Sequence, residues 1–232
     1  MKIETLKENT TKKSRLNGFS HDDIGDDHLY TGLQTPMKAD AFKLTDTEKK
    51  ERIASLFEEI MDVIGLDLTD DSLKGTPNRV AKMYIDEIFS GLNPKNKPKI
   101  ALFDNKYQYN QMLVEKNITF YSNCEHHFVP IIGKVHVSYI SSGKVIGLSK
   151  INRIVQYFAK RPQVQERLTN QIAEELKTIL KTEDVAVIID AKHLCVSSRG
   201  IKDDTSATVT TYYGGKFNTP NKVAELQNYL KN

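Results

Sequence analysis

The chain has 232 residues and a formal net charge of +3, which suits one domain, or one domain with a tail. With 39% hydrophobic residues, 27% charged residues and no tryptophan, it reads as a soluble globular protein and not as a fibrous or low-complexity chain. No apolar run approaches the roughly 18 residues of a membrane helix, and the opening MKIETLKENTTKKSR lacks the apolar core of a signal peptide, so a cytoplasmic location is expected.

Residues 1–44 are polar and without sustained apolar period, and are read as a mobile N-terminal tail or an arm that orders on a partner subunit. Order is expected over 45–232, as a helical segment (45–100), a core (110–217) and a C-terminal helix (218–232). Thr45 and Glu48 form a capping-box pattern. Ile53, Leu56, Phe57, Ile60, Met61 and Ile64 then fall on one helical face, and Gly65 is a stop. A second helix opens at Gly75-Thr76-Pro77, with Thr76 as cap and Val80, Met83, Tyr84, Ile88 and Leu92 on its buried side.

Strand signals follow at Met112–Tyr121 and Ile131–Ile140, the second alternating Val135, Val137, Tyr139 against Lys134, His136, Ser138. Ser141-Ser142-Gly143 turns the chain into a short partner strand, Lys144–Leu148. A helix capped by Ser149 carries Ile151, Ile154, Val155 and Phe158. Arg161-Pro162 breaks it, and a longer helix follows with Val164, Leu168, Ile172, Leu176 and Ile179 inward. Val185–Ile189 is an apolar strand continuing toward Val196, Asp204–Tyr213 is a further strand, and a helix closes the chain near Asn221–Leu230. Strands, two helices and strands give an α+β plan, an antiparallel sheet with helices on one face.

The densest chemistry is Cys124-Glu125-His126-His127. Cys124 and His127 have C-x-x-H spacing, which a tight turn can point at one ion. The only other cysteine is Cys195, in His193-Leu194-Cys195. Cysteines 71 positions apart need not meet, and two lone cysteines are usually buried fillers. Three of the six histidines stand beside these two cysteines, however, and that favours a metal. Cys124, His127 and Cys195 would give three donors suited to zinc, with the fourth tetrahedral position open, as in catalytic sites. His126 and His193 flank the donors, either as proton carriers or as groups that orient them. His21, His28 and His136 receive no role.

Several runs together resemble the GTP cyclohydrolase I family. They are Cys124-Glu125-His126-His127-Phe128, Gly147-Leu148-Ser149-Lys150, Arg161 to Thr169 (RPQVQERLT), His193-Leu194-Cys195, Arg199-Gly200 and Asp204 to Thr208 (DTSAT). The likeness spans roughly Thr45 to Phe217 and leaves the tail uncovered. It implies the tunnelling fold, in which sheets of several subunits close into an oligomeric barrel. It also implies a homodecamer of two pentamers with sites at subunit interfaces. The implied reaction is zinc-dependent hydrolysis of GTP at C8 of guanine, releasing formate and forming 7,8-dihydroneopterin triphosphate, the first step of tetrahydrofolate or pterin biosynthesis.

By the same resemblance Cys124, His127 and Cys195 hold one zinc per subunit. His193 protonates N7 and His126 is a second acid–base group. Glu166 takes the guanine N1–H and 2-amino group, with Gln165 as a neighbouring polar contact. Lys150, Arg153, Arg199, Arg79 and Lys82 meet the triphosphate, and Ser149 assists the later rearrangement. Related tunnelling enzymes fit less well: a pterin synthase would use an all-histidine zinc site, and a deazaguanine reductase would need a free cysteine nucleophile. A binding module with a closed structural zinc would have no use for acid–base histidines. A nucleic-acid binder is opposed by Asp22-Asp23, Asp26-Asp27 and Asp203-Asp204 and by the lack of a basic block with interleaved aromatics.

Overall fold

The computed structural model of the chain describes residues 32–231. Most of the expected tail, with His21 and His28, lies outside the described residues. The part that is described is docked: Arg167 Nε donates to the Gly32 carbonyl at 2.9 Å and Gln171 Nε2 to the Leu33 carbonyl at 2.8 Å.

Helix α1 (Asp46–Ile64) begins with the expected capping box. Thr45 Oγ1 accepts from the Glu48 amide at 3.2 Å, and Glu48 Oε2 accepts from the Thr45 amide at 2.7 Å. The helix ends on Gly65 at φ +91°, a conformation that a Cβ disfavours. Its apolar stripe is largely open in the single chain. Met61 alone is buried, and Ile60 and Ile64 are 50% and 67% exposed.

Helix α2 (Thr76–Lys82) has Gly75 at its N-cap in place of Thr76. It runs on as π-helical turns over Met83–Ile88. The wider π turn rotates the apolar stripe away from a 3.6 period. Pro77 and Ala81 are the buried residues of α2, and none of Met83–Ile88 is fully buried, in contrast to the expected Val80-to-Leu92 series. Gly91 follows, pressed on the end of a later helix: a Cβ there would sit 2.0 Å from the Tyr157 carbonyl oxygen.

Strand β1 (Leu102–Asp104) was not foreseen. Strands β2 (Met112–Cys124) and β3 (Pro130–Ile140) pair antiparallel with Ser122 opposite Ile131, and the register slips between Glu115 and Ile118. There Asn117 takes a left-handed φ of +63°, a conformation that asparagine tolerates better than most residues. Strand β4 (Lys144–Ile146) pairs with β1, not with β3.

Helix α3 (Leu148–Ala159) is entered from extended Gly147, so Ser149 lies inside the first turn and caps nothing. Strand β5 (Pro162–Gln163) runs parallel beside Asn123–Cys124. Helix α4 (Gln165–Leu180) buries Leu168, Ile172, Leu176 and Leu180. Strand β6 (Val185–His193) ends earlier than expected, because Leu194–Ser197 forms a short helix, α5. Strand β7 (Thr208–Tyr213) omits the expected first four residues, and Pro220–Leu230 is α6.

The main sheet has the order β5-β2-β3-β6-β7. Alternation assigns its two faces. Phe120, Val135, Val137, Val187 and Ile189 meet Ile151, Ile154, Leu168 and Ile172 of α3 and α4 in the principal core. The intervening Ile140, Ala186 and Ile188 join Phe217 and Leu226 in a smaller cluster beneath α6. The helices α3 and α4 thus cover one face, as the α+β plan expects, and α6 covers one end of the other. No helix among the described residues is long and apolar enough to cross a membrane.

Candidate metal centre and active site

The chemistry gathers where β2 ends. The Cys124 amide donates to the Val129 carbonyl and the Phe128 amide to the Cys124 carbonyl, both at 2.9 Å. Phe128 takes φ +55° to close this turn. Its ring packs edge-on against Phe89, with centroids 5.0 Å apart, and against Tyr84 at 6.4 Å. The turn is therefore braced by the π-helical segment as well as by the sheet.

The turn directs Cys124 and His127 to one point, and α5 brings Cys195 to the same point. The three donor atoms all lie within 4.8 Å of one another. Cys124 Sγ is 3.9 Å from His127 Nδ1 and 3.6 Å from His126 Nδ1. Burial and the neighbouring Cys124 thiol push the Cys195 thiol up to about 11. A cation beside the Cys195 sulfur would favour its thiolate and offset that shift. Two sulfurs and one imidazole suit a soft or borderline divalent ion. The residues present therefore fit a metal.

Other expected groups surround this point. Arg199 NH1 lies 3.0 Å from His127 Nε2, so its guanidinium stands beside the three candidate donors. His193, the last residue of β6, places Nε2 at 2.7 Å from Gln165 Oε1. The direction of that bond follows from the rest of the amide. Gln165 Nε2 already faces the carbonyls of Ile189 (3.1 Å) and Thr208 (2.8 Å), so Oε1 must be the end that meets His193. An amide oxygen only accepts, so His193 carries its hydrogen on Nε2 and leaves Nδ1 open. Burial lowers the His193 pKa, and the charge of Glu166, exposed at the start of α4, opposes the shift. The Gln165 side chain, expected as a contact to the base, is buried and fully engaged within the chain.

The expected residues at the start of α3 do not converge here within one chain. Ser149, Lys150 and Arg153 open α3, and Asn152 of that turn donates to Glu115 Oε1 near the far end of β2. From Glu115 to Cys124, at about 3.3 Å per residue, is roughly 30 Å. Arg79 and Lys82 are exposed on α2, and Arg79 NH2 bonds the Ser72 carbonyl and Thr76 Oγ1.

Two residues without an expected role stand out. Arg167, its side chain 3% exposed, forms a forked ion pair with Glu125, between the candidate metal donors Cys124 and His127. Both occur inside motifs already noted, but no local pattern pairs a helix arginine with a carboxylate 42 positions earlier.

The family model described as GTP cyclohydrolase I matches residues 53–230. The chain is 62% identical over 210 residues to GTP cyclohydrolase 1 of Flavobacterium johnsoniae, covering 90% of this chain and 94% of that one. It is 55% identical over 201 residues to the enzyme of the same name from Aeromonas salmonicida (86% and 91% covered). With the Vibrio cholerae protein it shares 57% over 186 residues (80% and 85% covered).

Proposed function

The chain belongs to the GTP cyclohydrolase I family, and from that premise we propose how its residues carry the family's reaction: GTP and water give formate and 7,8-dihydroneopterin triphosphate, the entry step to folate. The observation that supports this reading best is the convergence of Cys124, His127 and Cys195 with His193 and Arg199 beside them.

Cys124, His127 and Cys195 would hold one zinc ion with a fourth position open. Bound there, zinc supplies Lewis acidity, which lowers the pKa of a coordinated water to about 7. The protein residues supply the rest. C8 of guanine is a poor electrophile until N7 is protonated. His193 presents Nδ1 for that proton, while Gln165 Oε1 accepts from Nε2 whether the ring is neutral or cationic. Gln165 therefore acts on the base through His193. His126, exposed beside Cys124, is the second acid–base group, serving ring opening and formate release.

Glu166, one residue beyond Gln165, accepts from the guanine N1–H and 2-amino group. Adenine lacks that donor pair and would leave the carboxylate unsatisfied, a strong basis for rejection. Arg199 is placed to meet the phosphates from the metal side. Ser149, Lys150 and Arg153 meet the triphosphate and the rearranging ribose from a neighbouring copy, since α3 of one chain opens at the far end of β2 from its own metal donors, and Arg79 and Lys82 of α2 add further phosphate contacts. Among the described residues β5 covers only Asn123–Cys124 of β2, and β7 is the other edge strand, so the rest of β2 and β7 could continue the sheet between copies into the barrel of a decamer.

Zinc-loaded protein incubated with GTP should release formate and neopterin-type fluorescence in equal amounts. Cys195→Ser should lose both zinc and turnover. His193→Ala should keep zinc and lose about 10²–10⁴-fold in rate. A folded, zinc-bound protein that binds GTP and releases no formate would overturn the assignment.

A further inference from the structure

Arg167 and Gln171 lie one turn apart on α4, and both are buried although both are polar. Each faces two ways. Arg167 Nε donates to the Gly32 carbonyl at 2.9 Å, and its two terminal nitrogens grip the Glu125 carboxylate. Gln171 Nε2 donates to the Leu33 carbonyl at 2.8 Å, and its Oε1 accepts from Gln163 Nε2 at 2.9 Å. Gln163 then returns to the same place, for its backbone carbonyl accepts from the Glu125 amide at 3.0 Å.

Two routes therefore leave the Gly32–Leu33 strap and end on one residue. One reaches the Glu125 side chain, the other the Glu125 backbone. Glu125 stands between the metal donors Cys124 and His127, and its carboxylate lies 3.9 Å from His126 Nε2. A forked arginine–carboxylate pair fixes orientation as well as distance. A buried pair of this kind is costly to desolvate, so stability alone is a weak reason for it. Its placement holds one of the two residues that link the donors Cys124 and His127, where a rotation would move one donor relative to the other.

We propose that Arg167 is a positioning residue for the metal-binding turn, acting through Glu125, and that Gln171 and the Gly32–Leu33 strap complete its support. This rests on the metal reading of Cys124, His127 and Cys195. Partners that orient metal donors typically change metal affinity or activity by about 10–100-fold when removed.

The test uses the full chain as wild type, Arg167→Lys, Arg167→Met and Gln171→Leu. Zinc content is measured first, then zinc release to a chromogenic chelator, then the visible spectrum with cobalt in place of zinc. Lysine keeps the charge but cannot hold Glu125 in a fork while reaching Gly32. Arg167→Lys and Arg167→Met should release zinc about tenfold faster or more. They should also alter the cobalt–thiolate bands, and should lower kcat with little change in KM for GTP. Gln171→Leu should accelerate release by a smaller factor. If Arg167→Met fails to fold, Arg167→Lys and Gln171→Leu decide. Unchanged release and unchanged cobalt spectra in those two, with only a lower Tm, would reduce Arg167 to a core ion pair and leave the metal reading intact. A wild-type chain that binds no zinc would remove the metal reading, and this proposal with it.

Discussion

A histidine that moves a proton needs one nitrogen held and the other free. In this chain the holding group is Gln165, whose own orientation is fixed by the carbonyls of Ile189 and Thr208. Gln165→Leu removes the acceptor and leaves the ring free to rotate. The expected outcome is a kcat at least about tenfold lower with KM for GTP little moved. Imidazole 15N shifts should show the hydrogen on Nε2 in the wild type and a mixture of forms in the variant. The meeting of Cys124, His127 and Cys195 was legible in the sequence because thiols are scarce in it and only a few residue types bind soft metals. Gln165 was seen as a site residue, but its inward aim was not. That aim depends on β6 and β7 lying alongside α4, which no local pattern encodes.

Among the elements, those defined by local chemistry were read well. The Thr45–Glu48 capping box and the αL stop at Gly65 are reciprocal contacts within a few residues, and both are present. What faces what was read less well. The period of α1 marks an apolar stripe but does not say what covers it, and in the single chain most of it is open. The π turns after Lys82 leave no glycine or proline as a signal. The pairing of β1 with β4 joins segments about 40 residues apart across intervening strands. Gly91 links that helical segment to the end of α3: its amide donates to the Lys160 carbonyl and its carbonyl accepts from Arg161 Nε, both at 2.9 Å. Gly91→Ala forces a methyl group onto the Tyr157 carbonyl. It should cost about 1–3 kcal/mol, visible as a lower midpoint in urea unfolding with m little changed.

At the scale of the whole molecule, the α+β plan followed from element order, while the decamer came only from the family resemblance. Among the described residues two features make an assembly reasonable: the sheet ends in β7 on one side and in the two-residue β5 on the other, and expected site residues lie at opposite ends of one strand. The second has a genetic consequence. If one active site draws its metal donors from one subunit and Lys150 from the next, two dead alleles can rescue each other. Cys195→Ser chains lack the metal but carry Lys150, and Lys150→Ala chains carry the reverse. Each alone should be nearly inactive. Co-expressed in equal amounts, they should form mixed rings in which roughly a quarter of the sites inherit both intact halves by chance. Mixed enzyme purified through distinct tags on the two chains should recover that share of wild-type turnover. Sites contained within single chains would recover none. Loss of function at this locus would then depend on which two alleles meet in one cell, and not only on how severe each is.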